Sequence, residues 1–260
     1  MKKATDTYVQ PKSLIILGTP GAGKTTLVSQ FPGLFLLDCD QNLGGPLQWL
    51  KANDKKPDFY YADPFHDEDG NVLPRELHFQ RAATLLMEAN DMPDVKTLAV
   101  DSLTTFVDIV ITEVLRLQGR KLGSFDFKTK NSKSMDEPMQ IQDWGAFFNV
   151  MKQFIIKLKS TGKTIIFTGH LKTREDEASK MLRQFISVPG QMAEVIAGLF
   201  SEVWLLENAI KVKNGAKVQE RLVTTFPSTK GMSALGLKSS CGVESGSPVD
   251  VDDLIRKVLA

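Results

Sequence analysis

The sequence is poor in cysteine, histidine and net charge. Its 260 residues include two cysteines and three histidines, so a disulfide framework is excluded and the cysteines alone cannot form a zinc site. Its 32 basic and 31 acidic residues leave a formal charge of +1, which by itself does not call for a nucleic-acid partner. No apolar run approaches a membrane span, and no apolar stretch follows the N-terminal lysines. These absences predict a soluble cytoplasmic protein without a membrane partner.

Short apolar strands alternate with amphipathic helices along the chain, a pattern typical of a parallel sheet covered on both faces. We therefore predict a three-layer α/β fold with a mostly parallel central sheet, in one domain over residues 1–260. Its core would span about residues 13–206, and residues 207–260 would form a hairpin and tail. The hairpin is predicted at residues 210–226, around Asn214-Gly215. The predicted strands are residues 13–17, 34–37, 59–61, 97–101, 164–168 and 203–206, and the predicted helices are residues 24–30, 43–52, 75–89, 104–117, 144–158, 191–199 and 251–259.

One segment between the first strand and the first helix has the spacing G-x-x-x-x-G-K-[ST] of a P-loop. In such a loop the backbone N–H groups surround phosphates, the lysine contacts the outer phosphates, and the hydroxyl after it ligates Mg²⁺. This motif predicts binding of ATP and Mg²⁺. The predicted phosphate-binding residues are Gly18, Thr19, Pro20, Gly21, Ala22, Gly23, Lys24, Thr25 and Thr26, and Thr25 is also a predicted metal ligand.

Polar side chains follow the other predicted strands, at the sheet edge where α/β proteins bind ligands. Asp101 ends an apolar strand and is a candidate for the carboxylate that holds Mg²⁺; the alternative is a helix N-cap. Asp38 and Asp40 are candidates for orienting the attacking water, with Asp40 preferred and loop capping the alternative for both. His170 is a candidate sensor of the γ-phosphate, or else a structural histidine.

Two classes of P-loop protein fit poorly. A GTPase needs a glycine at the fourth position of D-x-x-G, but Asp101 is followed by Ser-Leu-Thr, and we find no guanine-reading segment. Nucleotide kinases share the TPGAGKTT pattern but carry an arginine-rich lid, which Arg174 and Arg183 match poorly.

The chain resembles RecA-like recombinase ATPases, and in particular small phage-encoded ATP-binding proteins that keep only the RecA core. Some of these resemble single-strand annealing proteins. The resemblance rests on GTPGAGKTT, LLDCDQNLGGP, TLAVDSLT and IIFTGHLK, within about residues 13–206. It implies a homo-oligomer in which a neighbouring subunit supplies a basic finger, for which Lys230 is the first choice and Lys238 the second. It also implies a catalytic acid after the second strand. That acid is usually glutamate, whereas this chain has Asp40.

The resemblance also implies that single-stranded DNA contacts two loops, and two long polar segments lie at the corresponding positions. Residues 119–138 combine basic side chains with Phe125 and Phe127, which suits sequence-independent strand binding; a solvated charged segment is the alternative. Residues 171–189 are less suitable because acidic residues dilute their basic ones. The candidate DNA-binding residues in and beside the first segment are Arg116, Arg120, Lys121, Lys128, Lys130 and Lys133.

From this reading we expect an ATPase that acts on single-stranded DNA in phage recombination, annealing or repair, in the host cytoplasm. A single-strand-binding protein is a candidate partner. Two alternatives stay open: a nucleotide-gated loader or assembly switch with little hydrolysis, and a small-molecule or nucleotide kinase.

Overall fold

A computed structural model describes residues 12–126, 131–134, 136–175, 180–213 and 216–259. Three 3₁₀ segments, Arg75–Leu77, Ile196–Leu199 and Lys230–Leu235, supplement the regular elements. The strands are β1 Ser13–Leu17, β2 Leu34–Asp38, β3 Phe59–Ala62, β4 Thr97–Asp101, β5 Ser124–Asp126, β6 Asn131–Ser134, β7 Thr164–Gly169, β8 Leu171–Glu175, β9 Leu182–Ile186, β10 Glu202–Lys213, β11 Ala216–Thr224 and β12 Ser247–Pro248. The helices are α1 Lys24–Val28, α2 Gly44–Ala52, α3 His78–Asp91, α4 Leu103–Leu117, α5 Ile141–Lys159, α6 Met192–Val195 and α7 Val251–Leu259.

The main sheet of the described residues has eight strands in the order β12-β11-β10-β1-β7-β4-β2-β3. The strands from β10 to β3 are parallel to their neighbours, and β11 and β12 add antiparallel pairs at one edge. The predicted α/β class with a mostly parallel sheet is confirmed. The hairpin of β10 and β11 forms as predicted; its predicted turn, Asn214-Gly215, lies outside the described residues.

Alternate residues of the central strands enter two separate apolar clusters, one on each face of the sheet. Ile15 and Leu17 belong to the cluster that packs beneath α3, α4 and α5. Leu14 and Ile16 belong to the cluster that includes side chains of α1 and α7. Because every residue of β1 is buried, both faces must be apolar, and the strand appears in the sequence as a continuous apolar run.

Two predicted loops contain strands. The segment at residues 119–138 carries the antiparallel pair β5 and β6, and the segment at residues 171–189 folds into the hairpin of β8 and β9. Their charged residues concealed the strand pattern, because both pairs lie outside the main sheet, and β8 and β9 have no fully buried face to impose an apolar alternation. Helix α5 also begins earlier than predicted, because Gln140 and Asp143 form a capping box before Trp144.

Within the described ranges, each helix is too short or too polar to cross a lipid bilayer.

Candidate nucleotide-binding site

The carboxyl ends of four neighbouring strands converge on one cavity of about 480 Å³. Strand β1 leads into the glycine loop, β2 into Asp40, β4 ends at Asp101, and β7 leads into His170. The cavity is lined by Pro20, Gly21, Gly23, Lys24, Thr25, Thr26, Asp40, Asn42, Gly45, Pro46, Trp49, Asp101, His170 and Arg221.

The glycine loop owes its shape to left-handed backbone at Gly21 and Gly23, whose φ angles are 79° and 91°. Residues with a Cβ atom rarely adopt such angles. At Gly23 a Cβ atom would also lie 2.7 Å from the guanidinium carbon of Arg221. The dihedral angle therefore favours glycine at this position, and a side chain there would also displace the Arg221 guanidinium group.

Lys24 is only 6% exposed and its ammonium group faces the glycine loop. Its Nζ donates hydrogen bonds to the carbonyl oxygens of Gly18 at 3.0 Å and Thr19 at 3.1 Å, and lies 3.4 Å from Nδ1 of His170. Burial lowers the pKa of Lys24, while the charges of Asp101 and Asp40 act in the opposite direction. The loop thus holds a desolvated cation where phosphate oxygens are expected.

Thr25 and Asp101 form the central contact between the loop and the sheet. The Thr25 hydroxyl donates a 2.6 Å hydrogen bond to Oδ2 of Asp101, and the Thr168 hydroxyl donates to Oδ1. Burial raises the pKa of Asp101, and the two hydroxyl bonds counteract this rise. Ser102 rather than Asp101 caps helix α4, because its Oγ accepts the Thr105 N–H at 3.4 Å.

Asp40 faces His170 across the cavity. One carboxylate oxygen accepts hydrogen bonds from the hydroxyls of Ser102 and Thr105, and the other lies 3.7 Å from Nε2 of His170. Burial would raise the pKa of Asp40, but the nearby His170 and the hydrogen bonds from Thr105 and Ser102 outweigh it and hold the pKa below its usual value. Lys24, His170 and Asp40 are therefore consecutive neighbours along one side of the cavity.

Asp38, the other acidic candidate, is buried and is not among the residues that line the cavity. Its Oδ1 accepts the Asn42 N–H at 3.4 Å. Burial raises the pKa of Asp38 to about 6. The geometry therefore favours Asp40 over Asp38 for contact with a ligand.

A family profile described as "AAA domain" matches residues 10–233. The chain belongs to the AAA domain family. It has the ATP-binding α/β fold of a P-loop ATPase domain, with a mostly parallel central sheet. No curated protein matches the chain.

Two solved structures are similar to this AAA domain. A KaiC-like protein from Pyrococcus horikoshii is 14% identical, with a TM-score of 0.38; the match covers 84% of this chain and 81% of that one. An ATPase from the type III secretion system of pathogenic bacteria is 16% identical, with a TM-score of 0.44; the match covers 75% of this chain and 52% of that one.

The side chains of the AAA domain fit a magnesium nucleotide. The glycine loop and Lys24 would hold the polyphosphate, since both offer donors to anionic oxygens. Thr25 and Asp101 would hold Mg²⁺, which prefers hard oxygen ligands. Mg²⁺ would neutralise charge on the phosphate oxygens.

Not all predicted site residues reach this cavity. Lys230 begins the 3₁₀ segment that follows β11, where the neighbouring Gly231 lies close to the Leu182 carbonyl of β9. Lys238 pairs with Val203 near the beginning of β10, away from the carboxyl ends of the parallel strands. Lys238 is not among the residues that line the cavity of its own chain.

Two of the predicted DNA-binding residues form ion pairs within the fold. Arg120 pairs with the fully buried Asp143, and Arg116 pairs with Glu113. Lys121 is exposed, and Lys133 lies on β6. Lys128, Lys130 and Phe127 lie outside the described residues.

Sequence reasoning missed five residues that line the cavity: Asn42, Gly45, Pro46, Trp49 and Arg221. Trp49 lies on α2, eight positions after Gln41 in a segment already associated with the site, so an aromatic residue there was a usable signal. Arg221 lies on β11, remote in sequence, and no motif marks it.

Proposed function

We propose that this AAA domain is a Mg²⁺-dependent ATPase that converts ATP and water to ADP and phosphate. The observation that carries the proposal is the hydrogen bond between Thr25 and Asp101, which joins the phosphate loop to the strand end that faces the same cavity as Lys24. A hydroxyl and a carboxylate held this close supply adjacent oxygen ligands for a divalent cation beside the loop.

In the proposed reaction, the water oxygen bonds to the γ-phosphorus as the bond to the bridging oxygen breaks. Asp40 orients the water and receives its proton, and its lowered pKa keeps the carboxylate ionised at neutral pH before the reaction. Lys24 contacts the outer phosphate oxygens, and its neighbour His170 responds to their presence. In this arrangement a change at the γ-phosphate is transmitted through His170 into β8, which begins at the next residue.

The first test compares ATP affinity and turnover in wild type, Lys24→Ala and Lys51→Ala. Lys51 is an exposed lysine of α2 and serves as the matched control. We expect Lys24→Ala to lose at least about tenfold in ATP affinity and to abolish turnover, since hydrogen bonds to charged groups contribute about 1.5–3 kcal/mol. Full turnover by Lys24→Ala would contradict the proposal, as would phosphoryl transfer to a nucleoside monophosphate in place of water.

We further propose that the protein works as a homo-oligomer on single-stranded DNA in phage recombination, annealing or repair, in the host cytoplasm. Basic side chains at Lys121, Lys128, Lys130 and Lys133, interspersed with phenylalanines, support this proposal because strand-binding proteins combine phosphate contacts with base stacking. Lys230 is the proposed finger for a neighbour's site, and a single-strand-binding protein is a proposed partner.

Salt dependence tests the DNA contact. We expect replacement of Lys128, Lys130 and Lys133 by glutamine to reduce the slope of log affinity against log salt by about 2, at roughly 0.7 per phosphate contact on single strands. The control replaces Lys51, Lys152 and Lys157, three exposed lysines on α2 and α5. Equal slopes for the two triple variants would exclude these lysines as the contact.

Mixing two inactive variants tests whether Lys230 completes the ATP site of a neighbouring subunit. Lys24→Ala chains lack a working loop but retain Lys230, and Lys230→Ala chains have the reverse defect. If Lys230 acts on the neighbour, neither variant turns over ATP alone, and the mixture regains activity. If both variants still oligomerise and their mixture is as inactive as each variant alone, Lys230 does not act in the ATP site of a neighbouring subunit.

A second function is favoured by one observation. One oxygen of Asp40 already accepts two hydroxyl hydrogen bonds, from Ser102 and Thr105, which leaves less capacity to orient water. A nucleotide-gated loader or assembly switch would bind ATP and change its oligomeric state with little hydrolysis. ATP-dependent assembly, with turnover that single-stranded DNA does not stimulate, would favour this switch over the DNA-activated ATPase.

A further inference from the structure

Two side chains form the end of the cavity beyond the phosphate loop. Trp49 of α2 and Arg221 of β11 line both the main cavity and an adjoining one of about 430 Å³. The guanidinium carbon of Arg221 lies 6.0 Å from the centroid of the Trp49 ring, within cation–π range. The pair therefore stands at the passage from one cavity to the other.

The Arg221 guanidinium group lies close to the phosphate loop as well as to the Trp49 ring. Its guanidinium group lies so close to Gly23 that a Cβ atom there would be 2.7 Å from it. A nucleotide whose phosphates occupy the loop would therefore extend its base past Arg221 and toward Trp49.

The adjoining cavity is mostly apolar and offers a surface for a planar ring. Beside Trp49 and Arg221, its lining comprises Leu27, Leu206, Pro248, Val249 and Val251, together with Gly23, Gln30 and Glu220. Aromatic rings and guanidinium planes bind the faces of nucleobases by stacking and by cation–π attraction. The site therefore combines a polar region around Lys24 with an apolar region at its other end, as a nucleoside triphosphate requires.

We propose that Trp49 and Arg221 form a clamp for the base of the nucleotide, with the Trp49 ring against one face and the Arg221 guanidinium against the other. Their present contact closes the clamp, and the base replaces it by separating the two groups. This inference rests on the proposed nucleotide binding and assigns the base-binding part of that site. Because Arg221 is on β11, binding of the base also connects the nucleotide to the hairpin of β10 and β11.

The main test separates base contacts from phosphate contacts by comparing ATP with inorganic tripolyphosphate. We expect Trp49→Ala to weaken ATP binding about tenfold or more, within the range of roughly 5- to 150-fold known for loss of one base stack. Tripolyphosphate binding should change less than about twofold, because that ligand has no base. Trp49→Phe should retain ATP affinity to within about threefold, since phenylalanine keeps a stacking face.

Arg221 is tested in the same way, with Arg221→Gln and Arg221→Lys. We expect both to weaken ATP binding, and Arg221→Lys to leave tripolyphosphate binding unchanged, because lysine keeps the charge but lacks the planar group that stacks. If Arg221→Gln weakens both ligands equally, Arg221 contacts phosphate and the proposed clamp is wrong. The control is Trp144→Ala, since Trp144 is a half-exposed tryptophan on α5 and does not line the nucleotide cavity.

Fluorescence gives a second measure that does not depend on how Trp49→Ala folds. The chain has three tryptophans, and Trp204 is fully buried, so Trp144→Phe leaves Trp49 as the accessible emitter. ATP should quench the tryptophan fluorescence of this variant, and tripolyphosphate should not. No quenching by saturating ATP would overturn the clamp. If the wild type binds neither ATP nor tripolyphosphate, the nucleotide site itself is wrong, a result distinct from failure of the clamp alone.

Discussion

The Thr25 hydroxyl donates a 2.6 Å hydrogen bond to the carboxylate of Asp101, across 76 positions of the chain. The contact joins the first helix to the end of β4, although β7 lies between β1 and β4 in the sheet. Thr168, on that intervening strand, donates to the other oxygen of Asp101, so the three elements share one carboxylate. The proposed metal position is thus defined by three different elements of the sheet edge.

This relationship predicts the effect of changes at Thr25. Thr25→Val removes the hydroxyl at nearly constant volume, and we expect Mg²⁺-dependent ATP turnover to fall about 100-fold. Nucleotide affinity measured in EDTA should change less than about threefold, since the loop and Lys24 are unaltered. Thr25→Ser keeps the hydroxyl and is the matched control. Equal turnover by the valine and serine variants would rule out a metal-binding hydroxyl.

The two acidic candidates can be separated by turnover. We expect Asp40→Asn to reduce ATP turnover about 100-fold with little change in ATP affinity, because an amide cannot accept the proton of water. Asp38→Asn should keep turnover within about threefold, since Asp38 is not among the residues that line the cavity. If Asp38→Asn reduces turnover more than Asp40→Asn does, Asp38 is the residue that orients the attacking water. Asp40→Glu tests whether the longer acid, usual in RecA-like proteins, increases turnover.

Asp38 also predicts a pH dependence of stability. Burial raises its pKa from 3.8 to about 6, so the folded state holds a proton that the unfolded state releases first. The neutral acid therefore stabilises the folded state at low pH. As the pH rises between these two values, the free energy of unfolding falls by up to about 3 kcal/mol. Asp38→Asn does not titrate, so its free energy of unfolding relative to wild type should increase over that interval and then level off.

Denaturant unfolding from about pH 4 to pH 8, without nucleotide or Mg²⁺, measures this difference. Asp58→Asn, which alters an exposed carboxyl group of the segment before β3, is the control. A constant difference between Asp38→Asn and wild type across the whole pH range would contradict the prediction.

The hydrogen bonds of Glu202 predict that this side chain holds the C-terminal tail against the sheet. Its fully buried carboxylate accepts the N–H groups of Ser240 at 2.7 Å and Cys241 at 3.0 Å, and the indole N–H of Trp204 at 3.0 Å. We expect Glu202→Ala to lower the free energy of unfolding by about 3 kcal/mol or more, because these buried donors lose their acceptor. Limited proteolysis should then cleave the tail after Ser239 first. Glu244→Gln, at an exposed position of the tail, should leave the cleavage pattern unchanged.

The strands of the main sheet were predictable because their burial appears directly in the sequence. Residues 13–17 and 97–101 are buried along their whole length, and an apolar run that ends at Gly18 or at Asp101 marks them. The hairpin of β8 and β9 was not predictable, because Lys172, Arg174 and Glu175 give it the composition of a loop. Its pairing depends on contacts between the two strands and with the segment at Lys230–Leu235, which a local pattern does not report.

The sequence by itself determined the phosphate loop and the order of polar residues at the strand ends. Both depend on short-range chemistry: positive φ angles at Gly21 and Gly23, and a lysine and hydroxyl at a set spacing. Only the tertiary structure decided that Asp40 faces the cavity, that Asp143 forms an ion pair with Arg120, and that the Arg221 guanidinium group lies over the Trp49 ring. Those relationships join residues far apart in the chain, so they follow from how helices and strands pack and not from any local pattern of residues.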